Sequence, residues 1–430
     1  MKRTLISDIT NLGEKGGSIS GWITAKTDIG KTSFIYVKDR SGEVQVVFKD
    51  RKTDFDALNI GDVVNVQGHA KEDRRAPTGY EFVVSGVNIV AKCEYPTPLP
   101  LDHLEDRTKR PDIDKRLEFR YLDLRNPKTA NIFKMRSDLT DSLRQNLRRN
   151  GFVEIHTPKI VAAATEGGSN LFPIEYFERD AYLAQSPQFY KQLMMASGLE
   201  RVFEIAPAFR AERHDTTRHL NEFTSVDLEM SFIETEDDVM QMAERVLQDS
   251  FRDLKENGRN YSVEITVPQI PFVRLPMKEA YEIANQAGLS LDFGDDLSSR
   301  GEEVIGKWAE SERKGNFVFL TDFPVELRPL YAMPNEKDPK LTRSFDLLQN
   351  GVEIVTGGQR IHDYKMLKAA FEKRHVDPEK YAFYLDAFKY GMPPHGGLGL
   401  GLDRLVAQTY GVANIREVVL FPRDKKRLTP

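Results

Sequence analysis

A single cysteine, Cys93, stands among 430 residues. No disulfide can form within the chain, which suits a reducing compartment. The eight histidines are scattered, without an HExxH pair, and there is no cysteine cluster, so a zinc site is not expected. No apolar run reaches the roughly 18 residues of a membrane helix, and the opening MKRTLISDITNLGEKGG holds no leader-like apolar core. An excess of one charge is also missing: 61 Lys and Arg face 66 Asp and Glu, a net charge of -5. A polycation acting through a global field is thereby excluded, and any contact with nucleic acid must be local. No lysine follows the late glycine run at Walker A spacing, and no GxGxxG opens a βαβ unit. These absences leave a soluble, cytoplasmic, membrane-free protein as the expectation, long enough for two or three domains.

What is present begins with strands. SISGWITAK, TSFIYVKD, EVQVVF, DVVNVQGHA and EFVVSGVNIVAK are short, alternating and separated by turn signals. In the hairpin closed by Arg40-Ser41-Gly42, Ile35 and Val37 point one way and Phe34 and Tyr36 the other, with Gln45 among the outward residues of the return strand. Residues 1–100 are therefore read as an OB-like barrel whose outer rings stack on unpaired bases, although the same rings could pack under a loop or a neighbouring domain. Residues 101–130 are proline-punctuated and charged, and read as a hinge. The remainder, 131–430, carries the larger domain, with a helical insertion at about 235–315 that shows no chemistry.

That domain opens on an amphipathic helix, about 130–149, with Ile132, Met135, Leu139, Leu143 and Leu147 at helical spacing. The strand FVEIHTPKI follows, and Pro158 places it at a sheet edge. TEGGSNLF is a glycine-hinged loop bearing Glu166. In AYLAQSPQFYKQ, Ser186 is expected to cap a helix whose face holds Gln188 and Lys191; a lysine there is ordinarily solvated. The centre of the chain is VFEIAPAFRAERHDTTRHLNEFTSVDLEMSF, residues 202–232. It reads as two strands around a polar loop, with Arg210 and Glu212 on one face and Phe223, Ser225, Asp227 and Glu229 on one face of the return strand. Such a face could hold a nucleoside triphosphate beside a small zwitterion; a solvated surface hairpin is the alternative. Further on, Asn350-Gly351 predicts a hairpin pairing Leu348 with Glu353 and Asp346 with Val355. Asp346 and Glu353 then sit diagonally on one face, where two carboxylates suit a hard divalent cation or simply solvent. The last feature, GLGLGLDRL, runs a glycine-rich strand into a helix with Arg404 in its first turn.

Together these segments resemble the class II aminoacyl-tRNA synthetases. FRAE, the charged loop and RHLNEF are similar to motif 2, GLGLGLDRL to motif 3, and the helix ending near Pro158 to motif 1. HIGH and KMSKS, the class I signatures, are absent. QSPQFYKQ, VEIVTGGQR and FPRDKKRLTP resemble the archaeal-type aspartyl members, and the N-terminal domain resembles their anticodon-binding OB domain. The resemblance implies an α+β fold: the barrel, then an antiparallel six-stranded sheet flanked by helices, in a homodimer joined through motif 1. It implies ATP as substrate, Mg2+ as cofactor, and L-aspartate and tRNA(Asp) as partners, with exchange of asparagine for aspartate as the rival specificity and a non-catalytic RNA-binding paralogue as a rival of another kind. By resemblance Arg210 meets the α-phosphate and the amino acid carboxylate, Glu212 lies near the adenosine, and Phe223 stacks under the adenine. His219 and Arg404 meet the γ-phosphate, with Arg218 and Leu220 counted among the ATP contacts. Asp346 and Glu353 would hold magnesium, joined by Thr356 if a distortion near Gly357-Gly358 turns it round. Glu166, Ser186, Gln188 and Asp227 would read the aspartate backbone, and Lys191 and Arg360 its side-chain carboxylate. In the barrel, Phe34 and Gln45 would contact the anticodon. Thr24 and Pro77 stand where strict members tend to carry tryptophan and lysine, which implies that tRNA(Asn) is charged as well.

Overall fold

The computed structural model describes residues 2–29, 32–49, 51–76, 78–94, 96–101, 110–162, 170–213, 216–313 and 315–430. The chain divides into two compact units, Met1–Ala130 and Asn131–Pro430.

In the first unit, β1 (Gly17–Ile29), β2 (Thr32–Lys38), β3 (Glu43–Phe48), β4 (Val63–Glu72) and β5 (Tyr80–Ala91) close into a barrel in the order β1-β2-β3-β5-β4, with a short helix α1 (Lys52–Asp56) after β3. Closure depends on β1, whose first half pairs with β4 and whose second half pairs with β2. A strand shared in this way leaves no open edge. Gly21 sits at the changeover, where a Cβ would stand 2.2 Å from the Lys38 carbonyl oxygen. The predicted alternation is observed: Ile35, Val37, Val44 and Val46 are buried, while Phe34, Tyr36 and Gln45 are half-buried on the outside. Beyond the barrel, the charged stretch forms two short helices, α2 (Ile113–Glu118) and α3 (Arg120–Asp123). The wholly buried Arg120 donates to Asp123 at 2.8 Å, so a paired charge joins the small apolar cluster of Leu99, Leu101 and Leu122 in fixing this turn.

The long helix α4 (Pro127–Arg149) carries the stripe Ile132, Met135, Leu139, Leu143 and Leu147 into the main core of the second unit. Gly151, at φ +82°, turns the chain past its end. Then come β6 (Val153–Glu154), β7 (Ile160–Val161), β8 (Pro173–Tyr176), β9 (Arg179–Leu183), α5 (Gln188–Leu193), β10 (Arg201–Phe209), β11 (Glu222–Ser231) and α6 (Glu236–Glu256). They are followed by β12 (Val273–Pro276), α7 (Met277–Gln286), α8 (Ser298–Trp308), β13 (Phe317–Pro324), β14 (Leu341–Gln349) and β15 (Val352–Arg360). The chain ends with α9 (Tyr364–Lys373), α10 (Ala382–Lys389), β16 (His395–Gly401) and α11 (Leu402–Tyr410).

The main sheet has eight strands in the order β12-β13-β14-β15-β16-β11-β10-β6. Its six central strands are antiparallel, as the resemblance implies, but β12 and β6 add a parallel strand at each edge, so the sheet is mixed. Val226 and Leu228 of β11, Leu398 and Leu400 of β16, and Ile354 and Val355 of β15 pack into the core with α4, α6 and α11. The alternate residues of β11 and β16 face away from that core and line the site. The segment read as a helical insertion serves two places. α6, started by a capping box of Thr235 and Asp238, joins the main core, whereas β12, α7 and α8 build a separate apolar cluster against β13.

One register differs from expectation. Leu348 does pair with Glu353, but Leu347 pairs with Val355 and Asp346 with Thr356, because the register shifts between Leu347 and Leu348. Ile354 is the extra residue of a bulge, and a bulge resets the alternation. Asp346 therefore does not face Val355, and Thr356 comes to its side without any distortion at Gly357-Gly358.

Leu139 of α4 is wholly buried. Leu139→Ala is expected to cost about 2–5 kcal/mol, against about 0.5 or less for the exposed Lys134→Ala, as read from denaturant midpoints. Equal midpoints for the two variants would contradict the packing described.

Candidate active site

A cavity of about 420 Å³ opens over the polar face of β11, β15 and β16. Of the residues picked out from the sequence, Ser186, Gln188, Arg210, Glu212, Arg218, His219, Leu220, Phe223, Asp227, Glu353, Thr356, Arg360 and Arg404 line it. Lys191 and Asp346 stand just behind its wall, bonded to the lining residues Asp227 and Thr356. Glu166 and Pro77 lie outside the described residues.

The closed end is a buried set of charges. Lys191 is 2% exposed; its ammonium donates to Asp227 Oδ1 at 2.9 Å and to the Leu398 carbonyl at 2.8 Å, and lies 3.6 Å from Glu229 Oε2. Arg360 donates through Nε to Glu229 Oε1 at 3.1 Å and through Nη2 to the Gly397 carbonyl at 2.9 Å. Ser225 completes the hold by donating to Asp227 Oδ2 at 2.6 Å. Two cations are thus fixed by two acids, the condition under which charges can be buried. Beneath them runs a neutral network. His395 Nδ1 donates to the Pro393 carbonyl, so its Nε2 accepts from Gln192, whose amide oxygen takes bonds from Gln188 and Tyr384. Burial holds His395 down at about 4, against an ordinary value of 6.5, so the ring is neutral. Helix α5 begins at Gln188, one residue later than expected; Ser186 Oγ still accepts from the Gln188 N–H, at 3.3 Å.

The open end is built for a polyanion. The β10–β11 hairpin pairs Ala208 with Phe223, and Asn221 ties its arms by donating to the Arg210 and Glu212 carbonyls. The Arg210 guanidinium lies 5.3 Å from the Phe223 ring centroid, and its buried Nε has no hydrogen-bond partner among the described residues. Arg404 donates to the Glu353 carbonyl at 2.9 Å and sits 3.3 Å from His219 Nε2. Arg218 reaches away to α8, pairing with Glu302 at 3.2 Å and Glu303 at 2.6 Å. Burial pushes the Glu353 carboxyl up, with Arg404 opposing and Asp346 reinforcing the shift. Burial likewise pushes Glu302 up to about 7, helped by the neighbouring Glu353. Desolvated acids of this kind gain from an added cation.

Among the described residues no group of three or more His, Cys, Asp or Glu side chains is placed to hold a metal ion. The bulge nevertheless sets Asp346, Glu353 and the Thr356 hydroxyl on one side of adjacent strands. This is a hard oxygen set, incomplete alone, that fits magnesium sharing its remaining positions with phosphate oxygens and water.

On the barrel, Phe34 and Tyr36 meet edge to face at 5.9 Å, and the Tyr36 hydroxyl donates to Gln45 at 3.2 Å. Thr24 turns its hydroxyl to Glu43. Among the described residues no helix is long and apolar enough to cross a membrane.

Residues 112–425 match the family described as tRNA synthetases class II (D, K and N). The chain belongs to that family. Residues 18–90 match the OB-fold nucleic acid binding domain. The synthetase chain is 44% identical over 422 residues to the aspartate–tRNA(Asp) ligase of Thermococcus kodakarensis, across 96% of this chain and 95% of that protein. It is 45% identical over 423 residues to the aspartate–tRNA(Asp/Asn) ligase of Methanocaldococcus jannaschii, across 96% and 94%. Among solved structures, asparaginyl-tRNA synthetase from Pyrococcus horikoshii complexed with asparaginyl-adenylate superposes with a TM-score of 0.92 at 30% identity, covering all of both chains. Aspartyl-tRNA synthetase from Entamoeba histolytica gives 0.88 at 30% identity, covering all of this chain and 93% of that one.

Two residues of this class II site escaped the sequence reading. Glu229 was placed on the right face by alternation, but its grip on both Lys191 and Arg360 depends on β15 and α5, which alternation within one strand does not reveal. Arg328, in the cavity wall, comes from an irregular stretch between β13 and β14 where no period applies.

His395 gives a pH prediction. Its native value of about 4 lies below the ordinary 6.5, so its contribution to stability is whole above about pH 6.5 and is lost as the pH falls through about 4. His395→Gln is expected to flatten the fall in melting temperature over that window; a variant curve parallel to the native one would contradict a buried neutral imidazole.

Proposed function

We propose that this class II synthetase is an aspartate–tRNA ligase that activates L-aspartate with ATP and transfers it to tRNA(Asp) and tRNA(Asn). The observation that carries the amino acid is the pair of buried cations, Lys191 and Arg360, at the closed end of a cavity whose open end is arginine-rich. Aspartate and asparagine have nearly the same shape, so fit alone does not separate them. Asp227 and Glu229 already balance the two cations, but once Asp227 also serves the substrate ammonium a side-chain carboxylate restores the balance, whereas an amide leaves one positive charge in excess in a dry pocket. Sites built on such polar pairing reject an analogue by about 10⁴ or more.

The remaining roles are those the resemblance implies, and the positions around the cavity support them. Asp227 faces the cavity and takes the substrate ammonium, helped by Ser186 and Gln188. The substrate's own α-carboxylate is the nucleophile, and it attacks the α-phosphorus in line as pyrophosphate leaves. Arg210, with its unpartnered Nε, meets the charge that develops on the α-phosphate and the carboxylate. Phe223 offers its ring to the adenine, and Glu212 and the backbone at Leu220 border the nucleoside. Arg404, His219 and Arg218 receive the terminal phosphates. Asp346, Glu353 and Thr356 would hold magnesium, which supplies further charge neutralisation on the phosphates. In the second half-reaction the 3′-terminal hydroxyl of the tRNA attacks the mixed anhydride and AMP leaves. No protein nucleophile is needed in either half. Glu166, outside the described residues, is assigned to the amino acid by resemblance alone.

On the barrel, Phe34 and Tyr36 stack with unpaired anticodon bases and Gln45 supplies hydrogen bonds. Breadth toward tRNA(Asn) is supported by Thr24 and Pro77 standing in place of the tryptophan and lysine of strict members. A homodimer forms through the α4–β6 region, where β6 is a sheet edge and Val153 stays 45% exposed.

Pyrophosphate exchange is expected with aspartate and not with asparagine; the reverse would overturn the assignment. Lys191→Met should lower kcat/KM for aspartate by about a thousandfold or more while ATP affinity changes by less than about threefold. Normal aspartate kinetics in that variant would sink the role of Lys191. Charging purified tRNA(Asp) and tRNA(Asn) side by side tests breadth, with comparable rates expected.

A further inference from the structure

Arg328 has no place in the scheme above, and its position is specific. Its side chain is 10% exposed, and its guanidinium packs 3.5 Å over the ring centroid of Phe323. From there it reaches the β14–β15 pair. Nη1 donates to Thr356 Oγ1 at 3.0 Å, and Nη2 lies 2.8 Å from Asp346 Oδ2. The Thr356 hydroxyl in turn donates to Asp346 Oδ1. Arg328 Nε and Nη2 are both buried with no hydrogen-bond partner among the described residues, so its contact with Asp346 is an ion pair and its one hydrogen bond of this set is to Thr356. Glu353, the third member of the oxygen set, has an arginine of its own, with Arg404 Nη1 at 3.5 Å.

One guanidinium therefore holds two of the three oxygen groups that the magnesium reading assigns to a divalent cation. A guanidinium and a doubly charged ion on the same carboxylate oxygens repel strongly at this range, even with protein screening. Each therefore weakens the other's hold there. Arg328 also lines the cavity, so phosphate oxygens offer it a second seat, and its planar fork suits them.

We propose that Arg328 is a resident counter-cation of the metal set, a positioning residue that keeps Asp346 and Thr356 in ligating order and competes with the divalent cation for their oxygens. This rests on the reading of Asp346, Glu353 and Thr356 as the magnesium ligands. When nucleotide and cation arrive, the guanidinium exchanges the carboxylate for phosphate. Cation binding and nucleotide binding are coupled through this one side chain.

The test is a Mn2+ titration of the nucleotide-free protein, read from the electron paramagnetic resonance signal of free Mn2+. Arg328→Gln removes the charge, and Mn2+ is expected to bind it about tenfold more tightly than the native chain. Arg328→Lys keeps the charge but loses the fork, and should gain about threefold; it carries the test if Arg328→Gln does not fold. Without added divalent cation Arg328→Gln should melt below the native protein, and Mn2+ should restore it. The gain must vanish in the double variant with Asp346→Asn. A gain that persists there places the cation elsewhere and removes Asp346 from the metal reading itself. No gain in either Arg328 variant, with native binding that Asp346→Asn weakens, leaves the metal reading standing and overturns the competition. No gain without any native binding overturns it equally.

Discussion

Four side chains at the closed end of the cavity set the terms for everything around them: Lys191 and Arg360 against Asp227 and Glu229. Any one of them alone in that place would be intolerable, since an unpaired buried ion costs several kcal/mol even after relaxation. Their pairing needs three elements in register. Asp227 and Glu229 come from β11, Arg360 from β15 and Lys191 from α5, and β16 runs between β11 and β15 with carbonyls for both cations. The antiparallel sheet is the device that brings these positions together, and the apolar face behind it gives the sheet its reason to form. On the proposed reading of the site, Asp227 opposes the substrate ammonium and the two cations its side-chain carboxylate, while Glu229, which touches both cations, aims them.

The opposite end of the cavity works by a looser rule. Its arginines come from the motif 2 hairpin, from α11 and from the stretch before β14, and each rests on an acid or a ring: Arg218 on α8, Arg404 on Glu353, Arg210 over Phe223. These contacts are more exposed and individually weaker than the buried set. On the proposed reading, a triphosphate displaces them by offering more oxygen atoms than they give up, so that amino acid specificity would lie in fixed charges and nucleotide capture in charges that can change partner.

How much of this was legible in the sequence depends on the range of the signal. Period-two alternation is local, and it correctly placed Phe34 and Gln45 outside the barrel and Asp227 and Glu229 on one face of β11. A helical stripe likewise identified α4. The bulge at Ile354 was missed because regular alternation was assumed through VEIVTGG; the adjacent aliphatic pair Ile354-Val355, both of which reach the core, is the local sign that alternation breaks there. Lys191 was legible only through resemblance. Its helix spans six residues, too few to show a stripe, and an isolated lysine normally stays in water. Arg328 was out of reach because its partners lie 18 and 28 residues further along, on strands that only the tertiary fold brings to it. Of the two parallel edge strands, β6 was read from FVEIHTPKI as an edge strand, though it is only two residues long; β12, four residues within the stretch read as helical, was missed because only its neighbour makes it a strand.

The glycines of β16 carry a consequence of another kind. Gly397 leaves no room for a Cβ, which would fall 2.1 Å from a Glu229 oxygen, and Gly399 would bring one to 3.3 Å from Asp227. Gly399 lines the cavity and Gly397 lies behind it, so this part of the floor is main chain already reduced to the smallest residue. It cannot be enlarged by substitution, and a side chain at Gly397 would displace a buried acid. Evolution or a laboratory library seeking a different amino acid therefore has no purchase on the floor. Variation must enter at positions 188, 227 and 360 in the wall and at 191 and 229 behind it, and because the charges there are interlocked, it must enter as compensated sets rather than one residue at a time.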